Sequence, residues 1–402
     1  MTTPLPDLRL NGARLADGRL LSIDIAGDQV AALRPNGEDA PEARRSIELG
    51  GALVLPGLTD GHVHLDKTLL GVPWRPHQAA ASIRARIEAE KDYRRSTRTP
   101  LAEQGAEALL EAALRRGTTS LRTHVDIDDV AKLDNLTQLL TLRERWADRM
   151  QIQIVAFPQS GILSCAPAAA YLDEALRMGA DLIGGLDPVG IDGDRDGHLA
   201  IVFALAEKHG RGIDIHLHDG GSEGLDEIDD IIARTRAGGL GGQVTISHAF
   251  ALADADERHL DATADALRES GVAILSSIPG GDRCPPIPRL RARGVEVFFG
   301  SDNIRDCWNP STVIGMVDRA MLGAYRFGLR RDEDIAALLD HVTTIPSRIC
   351  GLGAGEIRPG ARADIVAFEA PHAPQVIVER QLPSLIVSRG KPQELAAPPV
   401  LK

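Results

Sequence analysis

The sequence predicts an α/β protein, a (β/α)8 TIM barrel with a small β-sandwich domain that both chain termini form together. Three observations predict this fold class. Apolar runs alternate with helical stretches in the middle of the chain, and both ends are rich in short strands and turns. The length of 402 residues also suffices for a barrel of about 250 residues with a companion domain. We place the small domain at residues 1–55 and 355–402 and the barrel at 56–354.

The two ends of the chain share a strand-and-turn character. Near the start, Asn-Gly, Asp-Gly and Gly-Asp pairs, which favour tight turns, separate strand-like segments at 7–10, 13–15, 20–26 and 29–33. Near the end, similar segments lie at 363–368, 375–379 and 385–388. We therefore expect one β domain built from both termini. Two unrelated appendages are the alternative.

Eight apolar runs of strand length follow one another through the middle of the chain. They occupy residues 53–57, 119–125, 151–157, 181–187, 212–218, 243–249, 271–277 and 294–300. Helical stretches lie between them, and those at 101–117 and 198–210 end in basic residues and then glycine, as helices commonly do. This alternation is typical of a (β/α)8 barrel. A doubly wound open sheet is the rival, but no GxGxxG pattern follows the first strand.

Composition and charge exclude several classes of partner. A net charge of -12 argues against nucleic acid and anionic membranes, because phosphate binding needs a basic surface. The four cysteines form no CxxC pair, and neither a signal peptide nor a membrane-length apolar segment is visible. We therefore expect a cytoplasmic protein, and we also expect a homo-oligomer. The acid-rich run 223–230 is predicted to be the solvated face of a helix.

Half of the twelve histidines fall near the carboxyl ends of predicted strands, where barrel enzymes carry their chemistry. These are His62, His64, His124, His216, His218 and His248, and Asp302 follows the eighth strand. In His62-x-His64 both side chains lie on one face of an extended segment. Two imidazoles held in this way suit a divalent transition metal such as zinc or iron, which can activate water. The His62-x-His64 pair alone is weak evidence for a metal site, and the histidine and the aspartate on later strands strengthen this interpretation.

Several motifs carry a family resemblance. LVLPGLTDGHVHLDK at 53–67 resembles the first-strand motif of the amidohydrolase superfamily, and RTHVDID, QIVAFPQSGIL, SHAF and SDNIRDCW resemble its cytosine deaminase branch. The similarity extends from about residue 50 to 310, and GEIRPGARADIVAFE resembles the returning strand of the β domain in such enzymes. The resemblance implies one divalent metal ion, with zinc favoured over iron. Its ligands would be His62, His64, His216 and Asp302.

The resemblance also implies catalytic roles. In this branch the strand-six histidine, here His248, polarises the attacked carbon or the water. Gln159 matches a substrate-binding glutamine. Asp302, beside the metal, is our candidate for accepting the proton of the attacking water.

Strand five departs from the cytosine deaminase pattern. Cytosine deaminases carry His-Cys-Asp-Glu there, whereas this chain has His216-Leu217-His218-Asp219. The motifs are closer to the N-isopropylammelide isopropylamidohydrolases, and in that resemblance Lys67 and His218 face the substrate. His218 and Asp219 are therefore candidates for proton transfer. His124 and Cys307 receive no role.

These features together predict hydrolytic removal of an amino or alkylamino group from a small nitrogen heterocycle, such as a hydroxylated triazine or pyrimidine. Cytosine deaminase proper and a cyclic-amide hydrolase are the alternatives. Binuclear amidohydrolases usually bridge two metals with a strand-four lysine, and residues 181–188 contain none. The other zinc deaminase class needs H-x-E and P-C-x-x-C, which this sequence does not supply. A barrel without activity would have no reason to retain every ligand position.

Overall fold

The structure is a computed structural model that describes residues 5–38, 42–77, 80–96, 101–280 and 283–394. The sixteen strands of these residues are β1 Leu8–Arg14, β2 Leu20–Ala26, β3 Gln29–Pro35, β4 Ser46–Glu48, β5 Leu53–Pro56, β6 Leu58–Val63, β7 Thr118–Asp126, β8 Gln151–Phe157, β9 Leu182–Leu186, β10 Gly212–His216, β11 Val244–Ser247, β12 Ala273–Ser276, β13 Val297–Phe299, β14 Ile365–Phe368, β15 Leu385–Ser388 and β16 Lys391–Pro392.

The helices alternate with the strands of the barrel. They are α1 Ile83–Ser96, α2 Leu101–Leu114, α3 Asp134–Arg145, α4 Ala168–Met178, α5 Arg195–His209, α6 Gly221–Ala237, α7 Glu257–Ser270, α8 Ile287–Ala292, α9 Met316–Arg326, α10 Asp332–Ala336, α11 Thr344–Cys350 and α12 Ala373–Val378, with short 3₁₀ turns at Phe250–Ala253 and Ala337–Val342. Among the described residues, no helix combines the length and the apolar character needed to span a membrane.

Strands β6 to β13 form a parallel sheet in chain order, which confirms the predicted barrel. A parallel bridge between Val63 and Asp302 joins its first and last strands, and the Asp302 amide donates to the His62 carbonyl at 2.7 Å. Gly300 makes this closure possible, because a Cβ at that position would lie 2.5 Å from the Cβ of His62. The closure places Asp302 beside the first-strand histidines.

The chain termini form a separate mixed sheet in the order β16-β15-β14-β5-β1-β2-β3, with β4 paired to β1. The run 53–57, predicted as the first barrel strand, belongs to this sheet as β5, and the first barrel strand is β6. A continuous apolar run does not show which of two sheets it joins. The Asn11-Gly12 pair, predicted as a turn, is an irregularity within β1, where Gly12 has φ +64°.

One further prediction from local pattern was wrong, and a second was only partly right. The segment 375–379, predicted as a strand, lies mostly in helix α12, which has a proline in its first turn and buries Val376 and Ile377. Short runs of β-branched residues do not distinguish a strand from a buried helical turn. The acid-rich run on α6 is not wholly solvated, since Glu227 is completely buried. By contrast, the predicted helix end at His209 is confirmed, and Gly210 follows it with φ +60°.

Candidate active site

The predicted catalytic and metal-binding residues lie around one narrow cavity at the carboxyl ends of the barrel strands. Its lining residues are His64, Lys67, Phe157, Gln159, Leu186, His216, His218, His248, Asp302, Asn303 and Trp308. All but one of the sequence-predicted site residues line this cavity or, like His62, are buried directly against it; the exception is Asp219.

The four predicted metal ligands come together although they lie on three strands. One ring nitrogen from each of His62, His64 and His216 lies within 4.8 Å of the others. The Asp302 Oδ1 atom is 3.7 Å from His62 Nε2 and 3.5 Å from His64 Nε2.

The hydrogen-bonding state of these residues fits a bound metal ion. The Nε2 atom of His62 and both ring nitrogens of His216 are buried without a hydrogen-bond partner among the described residues. Buried polar atoms are rarely left unsatisfied. Three imidazoles and one carboxylate are a ligand set that suits a divalent transition metal.

A hydrogen-bonded chain fixes which nitrogen of His62 faces the cluster. The Ser247 hydroxyl donates to Asp214 at 2.6 Å, and Arg122 donates to the other oxygen of this carboxylate at 2.8 Å. The hydroxyl has therefore used its only hydrogen, so at 3.1 Å it accepts from His62 Nδ1. This leaves the lone pair of Nε2 directed at the cluster, as metal-binding histidines require.

His218 is held by a carboxylate that the sequence analysis missed. Asp187 accepts hydrogen bonds from the His218 backbone amide at 2.6 Å and from its Nδ1 at 2.9 Å. Burial lowers the pKa of His218, but the charge and hydrogen bond of Asp187 outweigh it, and the pKa is raised above its ordinary value. The only signal in the sequence was the position of Asp187 at the carboxyl end of a strand.

His248 stacks on His218, with ring centroids 4.5 Å apart and an interplanar angle of 22°. Burial, together with the neighbouring charge of His218, lowers the pKa of His248 to about 3, so this ring is neutral at pH 7. His248 and Asp302 have φ values of +73° and +61°. Such strained backbone conformations are most frequent at functional sites.

Lys67 and Gln159 form a second polar group in the cavity. The Lys67 ammonium donates to Gln159 Oε1 at 2.6 Å and forms ion pairs with Asp126 at 2.9 Å and with Glu90 at 3.5 Å. Burial lowers the pKa of Lys67, but these carboxylates outweigh it and raise the pKa above its ordinary value. The lysine is therefore a buried cation, not a surface residue. Sequence analysis missed Glu90 and Asp126, which are distant in the chain.

The structure does not bring Asp219 to the cavity. Its Oδ2 atom accepts from the Gly190 amide at 2.8 Å, on the turn that follows β9. The predicted direct role in proton transfer therefore has no support in its position. His124 lies beside His62, with ring centroids 4.0 Å apart, and Cys307 lines a neighbouring cavity.

A (β/α)8 barrel that gathers these histidines and an aspartate at its strand ends defines a hydrolase with the groups to bind a divalent metal. Residues 45–389 match the model of the amidohydrolase family, and the chain belongs to that family.

Individual relatives agree with the predicted branch. The chain is 29% identical to N-isopropylammelide isopropyl amidohydrolase from Pseudomonas sp. strain ADP over 394 residues, covering 96% of each. It is similar to the crystal structure of N-isopropylammelide isopropylaminohydrolase from Burkholderia multivorans, with a TM-score of 0.92, 42% identity, and coverage of 96% and 98% of the two chains. A 5-methylcytosine deaminase from Klebsiella pneumoniae gives a TM-score of 0.86 at 25% identity, covering 96% and 97%.

Proposed function

We propose that this protein hydrolytically removes an amino or alkylamino group from a small nitrogen heterocycle that carries ring oxygens, such as a hydroxylated triazine or pyrimidine. One observation carries the proposal. Three of the four candidate metal ligands, the His218 ring that Asp187 orients, and the Lys67–Gln159 pair all line one narrow cavity. Together they supply groups for water activation, proton delivery and recognition of a polar ring.

Lys67 and Gln159 favour an oxidised ring as substrate. A buried ammonium next to an amide donates hydrogen bonds to oxygen or to a ring anion, and such groups discriminate strongly against analogues that lack the partner. The similarity to two N-isopropylammelide hydrolases supports a triazine with an alkylamino substituent. Zinc is the metal that we favour for the site.

The reaction replaces a carbon–nitrogen bond with a carbon–oxygen bond and moves a proton from water to the departing nitrogen. When bound, a divalent metal lowers the pKa of water and so supplies the nucleophile. Asp302 accepts the proton of the attacking water, and neutral His248 stabilises the charge that develops at the ring. His218, oriented by Asp187, donates a proton to the leaving nitrogen.

Two features count against a cytosine deaminase of the usual pattern and against a binuclear cyclic-amide hydrolase. A cytosine deaminase of the usual pattern would need a glutamate at the strand-five position of Asp219, and this shorter carboxylate is directed at Gly190. A binuclear cyclic-amide hydrolase usually needs a lysine on strand four, and β9 (Leu182–Leu186) has none.

A substrate panel tests the proposal. We expect the metal-loaded protein to release amine or ammonia from hydroxylated aminotriazines or aminopyrimidines, and chelation followed by metal replacement should abolish and restore turnover. The measurement is product formation by mass spectrometry with amine quantitation. Turnover confined to unsubstituted cytosine, or ring opening of a cyclic amide without amine release, would contradict the proposal.

Metal content provides a second test. The carboxylates around the candidate ligands are already bound by side chains, Asp214 by Arg122 and Asp126 by Lys67 and Arg94. We therefore expect about one divalent ion per chain by elemental analysis. A reproducible value near two, with both ions required for turnover, would show that the site is binuclear.

A further inference from the structure

Two carboxyl groups bind the turn that follows Asp187, and neither of them lines the cavity. Glu227 on α6 is completely buried, and its Oε1 atom accepts from the Val189 amide at 2.9 Å. Asp219 accepts from the next amide, that of Gly190, at 2.8 Å. Both carboxyl groups therefore hold the turn that directly follows Asp187.

The two side chains also interact with each other, and neither forms a salt bridge with a lysine, arginine or histidine among the described residues. Each carboxyl group influences the pKa of the other through a side-chain hydrogen bond. No donor among the described residues reaches the buried Glu227 Oε2 atom. The carboxylates of Asp187 and Glu223 add further negative charge. The charge of Asp219 helps to raise the pKa of His218, but that ring is already bound to Asp187. Arg84 is bound to the carbonyls of Gly190 and Ile191. Two adjacent ionised carboxylates without a counter-ion are strongly disfavoured.

The proton of the pair belongs on Glu227. Burial raises the pKa of Glu227 to about 8, and the charge of Asp219 contributes to this. Burial and the charge of Asp187 raise the pKa of Asp219 as well, but Asp219 is the less buried of the two. A protonated Glu227 can donate to Asp219 through Oε2 while its Oε1 accepts from Val189.

We propose that Glu227 is a positioning residue, which shares one proton with Asp219 and thereby fixes the turn through which Asp187 orients His218. The contact is close, since a Cβ at Gly190 would lie 2.2 Å from Asp219 Oδ1. Asp187 itself has φ +35°, a strained conformation that its surroundings must maintain. The effect on turnover rests on the proposed function, whereas the shared proton does not.

The pair makes the stability of the folded protein decline as pH rises towards about 8. Because the folded-state pKa of Glu227 lies above its unfolded value of about 4.3, its proton contributes stability that is complete below that value. This contribution declines as pH rises from the unfolded pKa to the raised pKa of about 8, and above that pH Glu227 adds no further pH dependence. Ionisation then places a second negative charge beside Asp219 and near Asp187, which destabilises the turn.

The test is Glu227→Gln, whose amide accepts from Val189 and donates to Asp219 at every pH. Thermal midpoints, kcat and KM are measured from about pH 6 to 9.5. We expect the midpoint of the unaltered protein to fall from pH 6 to about pH 8 and then to level off. The fall should be smaller in Glu227→Gln, which keeps kcat within about 3-fold at pH 6.5. Glu227→Ala should lower kcat about 10-fold or more with metal content and KM nearly unchanged. Asp226→Asn removes an exposed charge from the same helix and should keep the original pH profile.

The outcomes separate this inference from the proposed function. If no heterocycle is turned over, the midpoints still decide whether the proton is shared. A Glu227→Gln protein whose midpoint declines between pH 6 and 8 as much as that of the unaltered protein would overturn the inference, whatever the substrate. If Glu227→Ala lowers kcat but Glu227→Gln does not restore it at pH 6.5, the shared hydrogen bond is also refuted.

Discussion

Replacement of His216 by alanine is expected to lower turnover by about 10³-fold or more and to empty most of the metal site. His216 lies at the end of β10, and both of its ring nitrogens are buried without a partner among the described residues. Alanine removes one of the three imidazole nitrogens that lie within 4.8 Å of one another. The measurements are elemental analysis of the purified variant and steady-state kinetics with the best substrate of the panel.

The fold should survive this change. The His216 ring packs against Phe157, with centroids 4.1 Å apart, but the barrel core is built of other side chains. A cooperative thermal transition should therefore remain. His259→Ala, which alters an exposed histidine at the start of α7, is the matched control and should keep full metal content and turnover. A His216→Ala protein that is fully metallated and active would show that the ligand set is wrong.

The barrel and the candidate ligands were predictable because strands and helices alternate regularly along the chain and the ligands recur at the ends of the strands. In a parallel barrel every strand ends at the same face, so residues such as His62 and Asp302 could be placed together without knowing any distance. The boundary between β5 and β6 could not be predicted, because the two strands follow each other almost without a break but belong to different sheets. The choice between them depends on pairing with β14, more than 300 residues away.

The supporting residues were not predictable for a related reason. Glu90 and Glu227 act through contacts with residues distant in sequence, and no local sequence pattern distinguishes them from solvent-exposed acids. Asp187 differs from such acids only in its position at the end of a strand. Asp219 shows the reverse error. Its position beside a ligand strand suggested catalysis, but the backbone turns after His218, and the carboxylate is directed at Gly190. Such orientations depend on tertiary packing.

The largest effect outside the ligand set is expected at His218. The Nδ1 atom of this residue is committed to Asp187 at 2.9 Å, which leaves Nε2 as the atom that can serve a substrate in the cavity. In His218→Asn the side-chain amide occupies the region of Nδ1 and can keep the bond to Asp187, whereas nothing replaces Nε2. We expect kcat to fall about 100-fold or more, since general acid catalysis contributes that much. Metal content should not change, because the four candidate ligands are intact.

His218→Gln distinguishes proton delivery from simple binding. Its amide reaches farther and can place a donor near the position of Nε2, but an amide cannot transfer a proton to a leaving nitrogen. If His218 delivers the proton, Gln should be nearly as slow as Asn at unchanged KM. If His218 only binds a ring oxygen, Gln should recover most of the lost rate. A His218→Asn protein with full turnover would remove His218 from the mechanism and leave the leaving nitrogen to be protonated by Asp302, the other proton-carrying group in the cavity for which we propose a role.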